Sequence, residues 1–235
     1  MKILLLLLTP LFIFAKVHYA KVEPYESVTL KSAVSALVMD VDLDAEGSVV
    51  HQKCVIYLDD RLDKINLKTS NENLLILHET LKRQESYFHR INKLKTASTA
   101  QKDEAFYTFA STKTQYLDMQ YKIAQLEDSI EKKSIILQNK YLYEIIVRKG
   151  DYVTPGSPLA TVADVSRAKL VVFLEPEELD QIEQKSVYLN DEKTAYKVDK
   201  VWRVADEKFI SSYRAEIYIP APEGSFSELM KVEIK

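Results

Sequence analysis

Between residues 61 and 134 the chain contains neither proline nor glycine. Both residues break or weaken helix interiors, so a stretch this long without them is free to run as helix. Leu67, Leu74, Leu81 and Phe88 recur every seven residues, with Leu77 and Ile91 at the matching second position and Gln84 interrupting it once. After the polar stretch KTASTAQKDE the pattern resumes: Phe109, Tyr116, Ile123 and Ile130 form one line, and Ala105, Thr112, Met119 and Leu126 the other. Two heptad seams joined by a short polar turn predict an antiparallel coiled-coil hairpin. Each arm would hold about 30 residues and reach ~45 Å at 1.5 Å per residue. The remaining faces are almost wholly polar, which favours a protruding hairpin over a helix pair enclosed in a globular core.

The flanks have a different period. SVTLKSAVSALVMDVDLDAEGSVV alternates apolar and polar residues in several places, CVIYL is a short apolar run, and Gly47 sits in a turn between such runs. Beyond the hairpin, SIILQNKYLYEIIVRKGDYVTPGSPLATV carries strand-like runs punctuated by Gly150-Asp151 and Pro155-Gly156, both turn formers. AKLVVFL, KTAYKVDKVWRV, SSYRAEIYI and KVEIK read as further strands, and PEELDQI as a helix start with its proline and two acids at the N-terminus. The expected fold is mainly β, with an α-helical hairpin inserted from a loop tip of a small β-sandwich, where added length costs little closure entropy.

Lys2 followed by an apolar run from Ile3 to Ala15 has the length of a signal-peptide core and falls short of the ~20 residues a spanning helix needs. Cleavage after Ala20 is expected, with His18 an awkward residue at the third position before the cut, which places the protein outside the cytoplasm. Cys54 is the only cysteine, so an exported chain of this kind rests on packing and not on an internal disulfide.

Several chemistries are disfavoured. A net charge of −3 gives no basic surface for nucleic acid. The four glycines, Gly47, Gly150, Gly156 and Gly224, are too scattered to cradle a phosphate. The histidines His18, His51, His78 and His89 form no ligand-spaced pair, so no metal and no cofactor is expected. Met119 falls in the helical seam and reads as core, and Glu175, Glu177 and Glu178 read as a helix start. No serine, histidine and aspartate order carries a nucleophile elbow, and the chain is not expected to be an enzyme.

VRKGDYVTPGSPLATVAD closely resembles the second half of the biotinyl/lipoyl-like domain in the periplasmic membrane-fusion (adaptor) proteins of tripartite efflux pumps. Gly150, Asp151, Val153, Gly156, Leu159 and Val162 fill the shared pattern, in which the glycines suit turns of positive φ and the apolar residues supply core contacts. LDAEGSVVHQKCVIYLDD resembles the first half more loosely: Gly47 and Val50 match, but Lys53 stands where a second glycine is usual, so that turn is expected to be distorted. AKLVVFLEPEELDQI is similar to the family's entry into its β-barrel, and SSYRAEIYIPAPEGSFSELMKVEIK to its closing strands, with Leu229-Met230 in place of Gly-Met. The resemblance implies a lipoyl-like domain split between residues 21–60 and 135–165, a hairpin at 61–134, a β-barrel domain at 166–235, and no membrane-proximal domain.

The resemblance also implies a function. Such a chain would form a homo-oligomeric ring, of six copies in the usual case, between an inner-membrane transporter and an outer-membrane channel. It would serve multidrug export from the periplasm and spend no energy itself. Family members often carry an Arg, a Leu four residues on and a Ser seven beyond, at the hairpin tip that meets the channel. Arg90 and Leu94 match, whereas Gln101 replaces the serine with a residue that still donates and accepts hydrogen bonds, and Ser98 and Thr99 stand close by. A periplasmic coiled-coil scaffold is the main rival reading, because a coiled coil fits many partners. A lipoyl or biotinyl carrier is weaker: the turn that would present its modified lysine is occupied by the hairpin.

Overall fold

The computed structural model describes residues 16–205, 211–224 and 226–235. The apolar run of the expected signal, residues 1–15, lies outside them. In chain order the elements are β1 (Val17–Lys31), β2 (Ala36–Val41), β3 (Ser48–Val50), β4 (Lys53–Leu58), α1 (Arg61–Lys93), α2 (Thr99–Glu131), β5 (Ser134–Leu137), β6 (Lys140–Ile145), β7 (Tyr152–Val153), β8 (Pro158–Leu174), β9 (Val187–Leu189), β10 (Glu192–Lys193), β11 (Lys200–Val201), β12 (Tyr213–Pro220) and β13 (Leu229–Ile234). The protein is thus β-rich, with two long helices as a single interruption. The chain divides into two compact bodies, residues 29–162 and a second made of 16–28 with 163–235.

The body of residues 29–162 holds two small sheets. One has the order β5-β4-β2-β7, and in the other β6 lies between β3 and β8. Val38, Ile56, Leu58, Leu142, Ile145 and Leu159 from the two sheets share one core, with Leu58, Leu142 and Leu159 fully enclosed. The turns follow the glycines. Gly150 (φ 96°) and Gly156 (φ 92°) adopt a backbone that L side chains rarely enter, and their N–H groups donate to Val38 O at 2.9 Å and Ser32 O at 2.8 Å. A side chain added at either glycine would meet open space, so the cost of substitution is backbone strain alone. Valine at either position should therefore destabilise by roughly 1–3 kcal/mol, read as a lower denaturant midpoint at unchanged slope. Gly47 is also left-handed (φ 75°) and donates to Leu142 O at 2.8 Å. In the following turn, which lacks the second glycine, Gln52 takes a left-handed conformation (φ 46°), and His51 Nδ1 meets Asn139 Oδ1 at 2.6 Å.

The hairpin springs from the β4–β5 ladder. Tyr57 pairs with Ser134, and Leu58 N–H donates to Lys133 O at 2.8 Å, so the two roots are neighbouring backbones before either helix begins. α1 and α2 have 33 residues each and turn through residues 94–98, a loop shorter than the polar stretch suggested because α2 starts already at Thr99. The helices run antiparallel: Phe88 stacks on Phe109 at 5.7 Å, His78 on Tyr116 at 5.6 Å, and Ser129 Oγ donates to Asp63 Oδ2 at 3.0 Å. Because the roots are already joined by β pairing, replacing residues 61–133 with a short glycine linker should leave the body of 29–162 folded. Cooperative thermal unfolding of that variant is the check.

The root is a polar knot. Asp60 is only 2% exposed; Tyr57 Oη donates to its Oδ1 at 2.5 Å, and Lys64 Nζ lies 2.8 Å from its Oδ2. Lys133, also buried, pairs with Asp63 at 2.7 Å. Burial pushes the Asp60 carboxyl up, but the bonds from Lys64 and Tyr57 outweigh it and hold the group below its ordinary value. At neighbouring Asp59, hydrogen bonds from Arg61 lower the carboxyl to about 2. Groups depressed on folding contribute stability above their unfolded value and lose it as pH falls through the folded one. Acidification from pH ~4 toward 2 should therefore loosen this root. Circular dichroism of acid unfolding should show a shallower loss over that window in Asp60→Asn than in the parent.

The second body is one sheet of order β10-β9-β13-β1-β8-β12-β11, counting the parts of β1 and β8 within it. Alternation sorts its two faces: Ala20, Val22, Leu170, Val172, Ala215, Ile217 and Val232 are enclosed, while Tyr19, Lys21, Val171, Arg214 and Tyr218 stand on the other side. PEEL forms a 3₁₀ turn, Pro176–Leu179, closed by reciprocal bonds between Glu175 and Glu178; it does not grow into an α-helix, and Gln181 is already left-handed at φ 52°. KTAYKVDKVWRV is mostly irregular and pairs only at Lys193 and Lys200–Val201.

Two expected boundaries differ from this arrangement. Residues 21–28 belong with 163–235 and not with the 29–162 body. The cut expected after Ala20 falls inside β1, whose residues Val17 to Lys21 pair with Glu233 to Leu229, and Ala20 itself is 1% exposed.

Candidate functional site at the hairpin tip

Arg90, Leu94 and Gln101 are brought together by the turn between α1 and α2. Arg90 and Lys93 occupy the last turn of α1, where cations suit the helix C-terminus. Leu94 ends the helix in extended backbone (ψ 122°), its N–H donating to Ile91 O at 3.1 Å, and its side chain is 48% exposed. The seam closes just below, with Ile91 half-buried and Ala105 buried, so Leu94 lies beyond the last paired layer.

Gln101 has a structural role within the turn. Ser98 Oγ accepts from Gln101 N–H at 3.3 Å, while Gln101 Oε1 accepts from Ser98 N–H at 2.9 Å. This is a reciprocal capping box that starts α2. The side-chain oxygen is thus engaged in the turn. The signal was present in the sequence as Ser-Thr-Ala-Gln ahead of a seam, the S-x-x-Q signature of a helix start. Serine at position 101 would restore the commoner residue at that place but remove half of the box.

The tip also carries an aromatic group that the heptad reading did not single out. Phe88 stacks flat on Phe109 at an interplanar angle of 2° and tilts against Phe106 at 5.7 Å. Phe109 and Phe88 are seam residues, but Phe106 lies off the seam and is 47% exposed, with Tyr107 beside it at 70%. Stacked rings fix the spacing of the arms immediately below the turn. The result is a rigid end carrying one aliphatic residue, several cations and a pair of outward rings. Among the described residues no helix is long and apolar enough to cross a membrane, and no acidic, histidine and cysteine cluster could hold a metal ion.

No family model and no curated protein matches the chain by sequence. Solved structures do match by fold. A MacA-MexA chimeric protein, containing the Pseudomonas aeruginosa MexA α-hairpin domain, superposes with a TM-score of 0.72 at 16% identity over 94% of this chain and 80% of that one. The membrane fusion protein Spr0693 from Streptococcus pneumoniae gives 0.69 at 9% identity over 94% and 99% of the two chains. MacA from Actinobacillus actinomycetemcomitans gives 0.60 at 15% identity over 94% and 79%. With β bodies on either side of a paired-helix insertion, and with these neighbours along nearly its whole described length, the chain has the fold of the membrane fusion proteins.

Proposed function

We propose that the chain is a periplasmic adaptor of a tripartite export system, without catalytic activity, linking an inner-membrane transporter to an outer-membrane channel. The observation that carries this reading is the hairpin: two 33-residue helices packed on each other and rooted in a β ladder, ending in an exposed tip. A helix pair that contributes its seam only to itself adds reach without adding core to the β body. In this reading residues 29–60 and 132–162 form the lipoyl-like domain, and 16–28 with 163–235 form the β-barrel domain. Copies assemble as a ring, a hexamer in the family's usual form, around a conduit for drugs and related small molecules. The tip residues Arg90 and Leu94 meet the channel, and the apolar run before Lys16 directs export to the periplasm.

The test uses a strain lacking this chain and a fluorescent dye as export substrate. Dye should accumulate in the deletion strain, and the full chain should restore export. The variant with 61–133 replaced by a glycine linker should not restore it although it is folded and exported. Restoration by the hairpin-less variant would reject the adaptor reading. Export unaffected by deletion, with envelope integrity lost instead, would favour the coiled-coil scaffold.

A further inference from the structure

The body made of 16–28 and 163–235 carries a groove that the hairpin docking role does not use. It has a volume of about 560 Å³, within the ordinary range for small-molecule sites. Val171 and Phe173 of β8 line it, with Tyr19, Lys21 and Glu23 from β1 on one side and Arg214 from β12 on the other. β8 lies between β1 and β12 in the sheet, so the two cationic arms stand two strands apart, about 10 Å, over an apolar strip.

The charges in and beneath the groove do not cancel. Glu216 is buried and shared by Arg214, whose Nη2 donates to Oε1 at 2.7 Å, and by Lys169 at 4.0 Å, which leaves one positive charge over. Lys21 has no hydrogen-bonding or ion-pair partner among the described side chains, and Glu23 stands two residues along the same face. Arg214 is also incompletely satisfied: its Nε is enclosed with no acceptor among the described residues, although its side chain is 36% exposed. A buried donor without an acceptor is unfavourable, and a small turn of the guanidinium toward an anion in the groove would relieve it. His18, which also borders the groove, is already engaged by Glu178 at 2.6 Å.

We propose that this groove binds a soluble monoanionic amphiphile, an apolar or aromatic body with one carboxylate or sulfonate. Its body rests on Val171, Phe173 and Tyr19, and its head group lies between Lys21 and Arg214. Glu23 at the rim disfavours a second negative charge.

Trp202 makes the test direct. It is the only tryptophan in the chain, and Arg214 stacks over its ring at 4.7 Å. The probe is 8-anilinonaphthalene-1-sulfonate added to the full-length protein, read by energy transfer from Trp202, which reports probe bound near that ring. The control is N-phenyl-1-naphthylamine, which has the same rings without the sulfonate. Lys21→Gln removes an exposed charge and should weaken sulfonate binding roughly fivefold to tenfold at low salt, with the neutral probe unchanged. Arg214→Lys, which keeps a cation beside Glu216, should also weaken it. Equal sulfonate affinity in the parent and both variants overturns the assignment, as does binding without energy transfer. Trp202 emission that follows protein concentration and ignores the probe would give the groove to a second copy of the chain and likewise overturn it.

Discussion

A chain beginning at Lys21 should fail to fold the body built on residues 163–235, whereas a chain beginning at Lys16 should fold it fully. Starting at Lys21 removes four of the five register pairs between β1 and β13 and the buried Ala20 side chain. It also removes His18 from Glu178 and Lys16 from Glu175, the contacts that tie β1 to the 3₁₀ turn at Pro176. The Lys16 pair is exposed and contributes little, and the part-buried His18–Glu178 contact is a single bond, so the weight falls on the ladder and the core. Several net hydrogen bonds at about 1 kcal/mol each, with the apolar surface uncovered on β13, sum to roughly 5 kcal/mol. Small domains have about 5–15 kcal/mol in total, so the loss is of the order of the whole. The same reasoning moves the expected signal cut. Ala15 supplies a small residue five positions earlier and leaves the strand intact. N-terminal sequencing of the exported protein should give Lys16, and thermal unfolding of chains starting at Lys16 and Lys21 should differ by the loss of a cooperative transition. A stable exported chain starting at Lys21 would show that the first rungs of β1 are dispensable.

How far the sequence reaches is clearest by contrasting the hairpin with β1. The seam residues from Leu67 to Ile130 lie on the packed faces of α1 and α2, because a period of seven repeated through each arm leaves one way to bury it. Gly150 and Gly156 were legible for a similar reason: a left-handed turn selects glycine locally. The hand-over within β1 was not. The strand itself runs without a break from Val17 to Lys31, yet residues up to 28 belong with one body and those after with the other. Period-two patterning reports which face is buried and says nothing of which sheet buries it. β11 failed for the opposite reason. Lys200 and Val201 are strand because β12 lies alongside, and the backbone bonds to β12 end with Asp199 and Trp202 on either side. At the tip, position and family likeness point to Arg90 and Leu94, and the structure places both at the end of α1. The capping role of Gln101 is legible only when its hydrogen-bonding capacity is read together with the serine three residues before it.

Arg90→Gln and Leu94→Ser should each abolish export while the protein remains folded and at normal abundance. Leu94 caps α1 through its backbone N–H, which serine retains, so the side chain can change without unravelling the helix. That side chain has no seam layer above Ala105 to join, and an aliphatic residue half-exposed at a rigid end gains most by entering a pocket on another protein. Arg90 is in the last helical turn, and glutamine there removes the charge without placing an acid against the helix dipole. An interface arginine bonds carboxylates or carbonyls in pairs, and its truncation at a hot spot typically costs ~2 kcal/mol, roughly thirtyfold in affinity. In the proposed ring that loss would be multiplied, since every copy carries the same substitution. Gln101→Ala separates docking from turn stability. It removes one half of the capping box and should lower the thermal midpoint slightly, by about 1 kcal/mol or less, while export persists. Dye efflux and envelope abundance measured together for the three variants decide the matter. Full export with both Arg90→Gln and Leu94→Ser present at parental levels would return the tip to a solvated helix end, and loss of export in Gln101→Ala alone would place the contact on the α2 side of the turn.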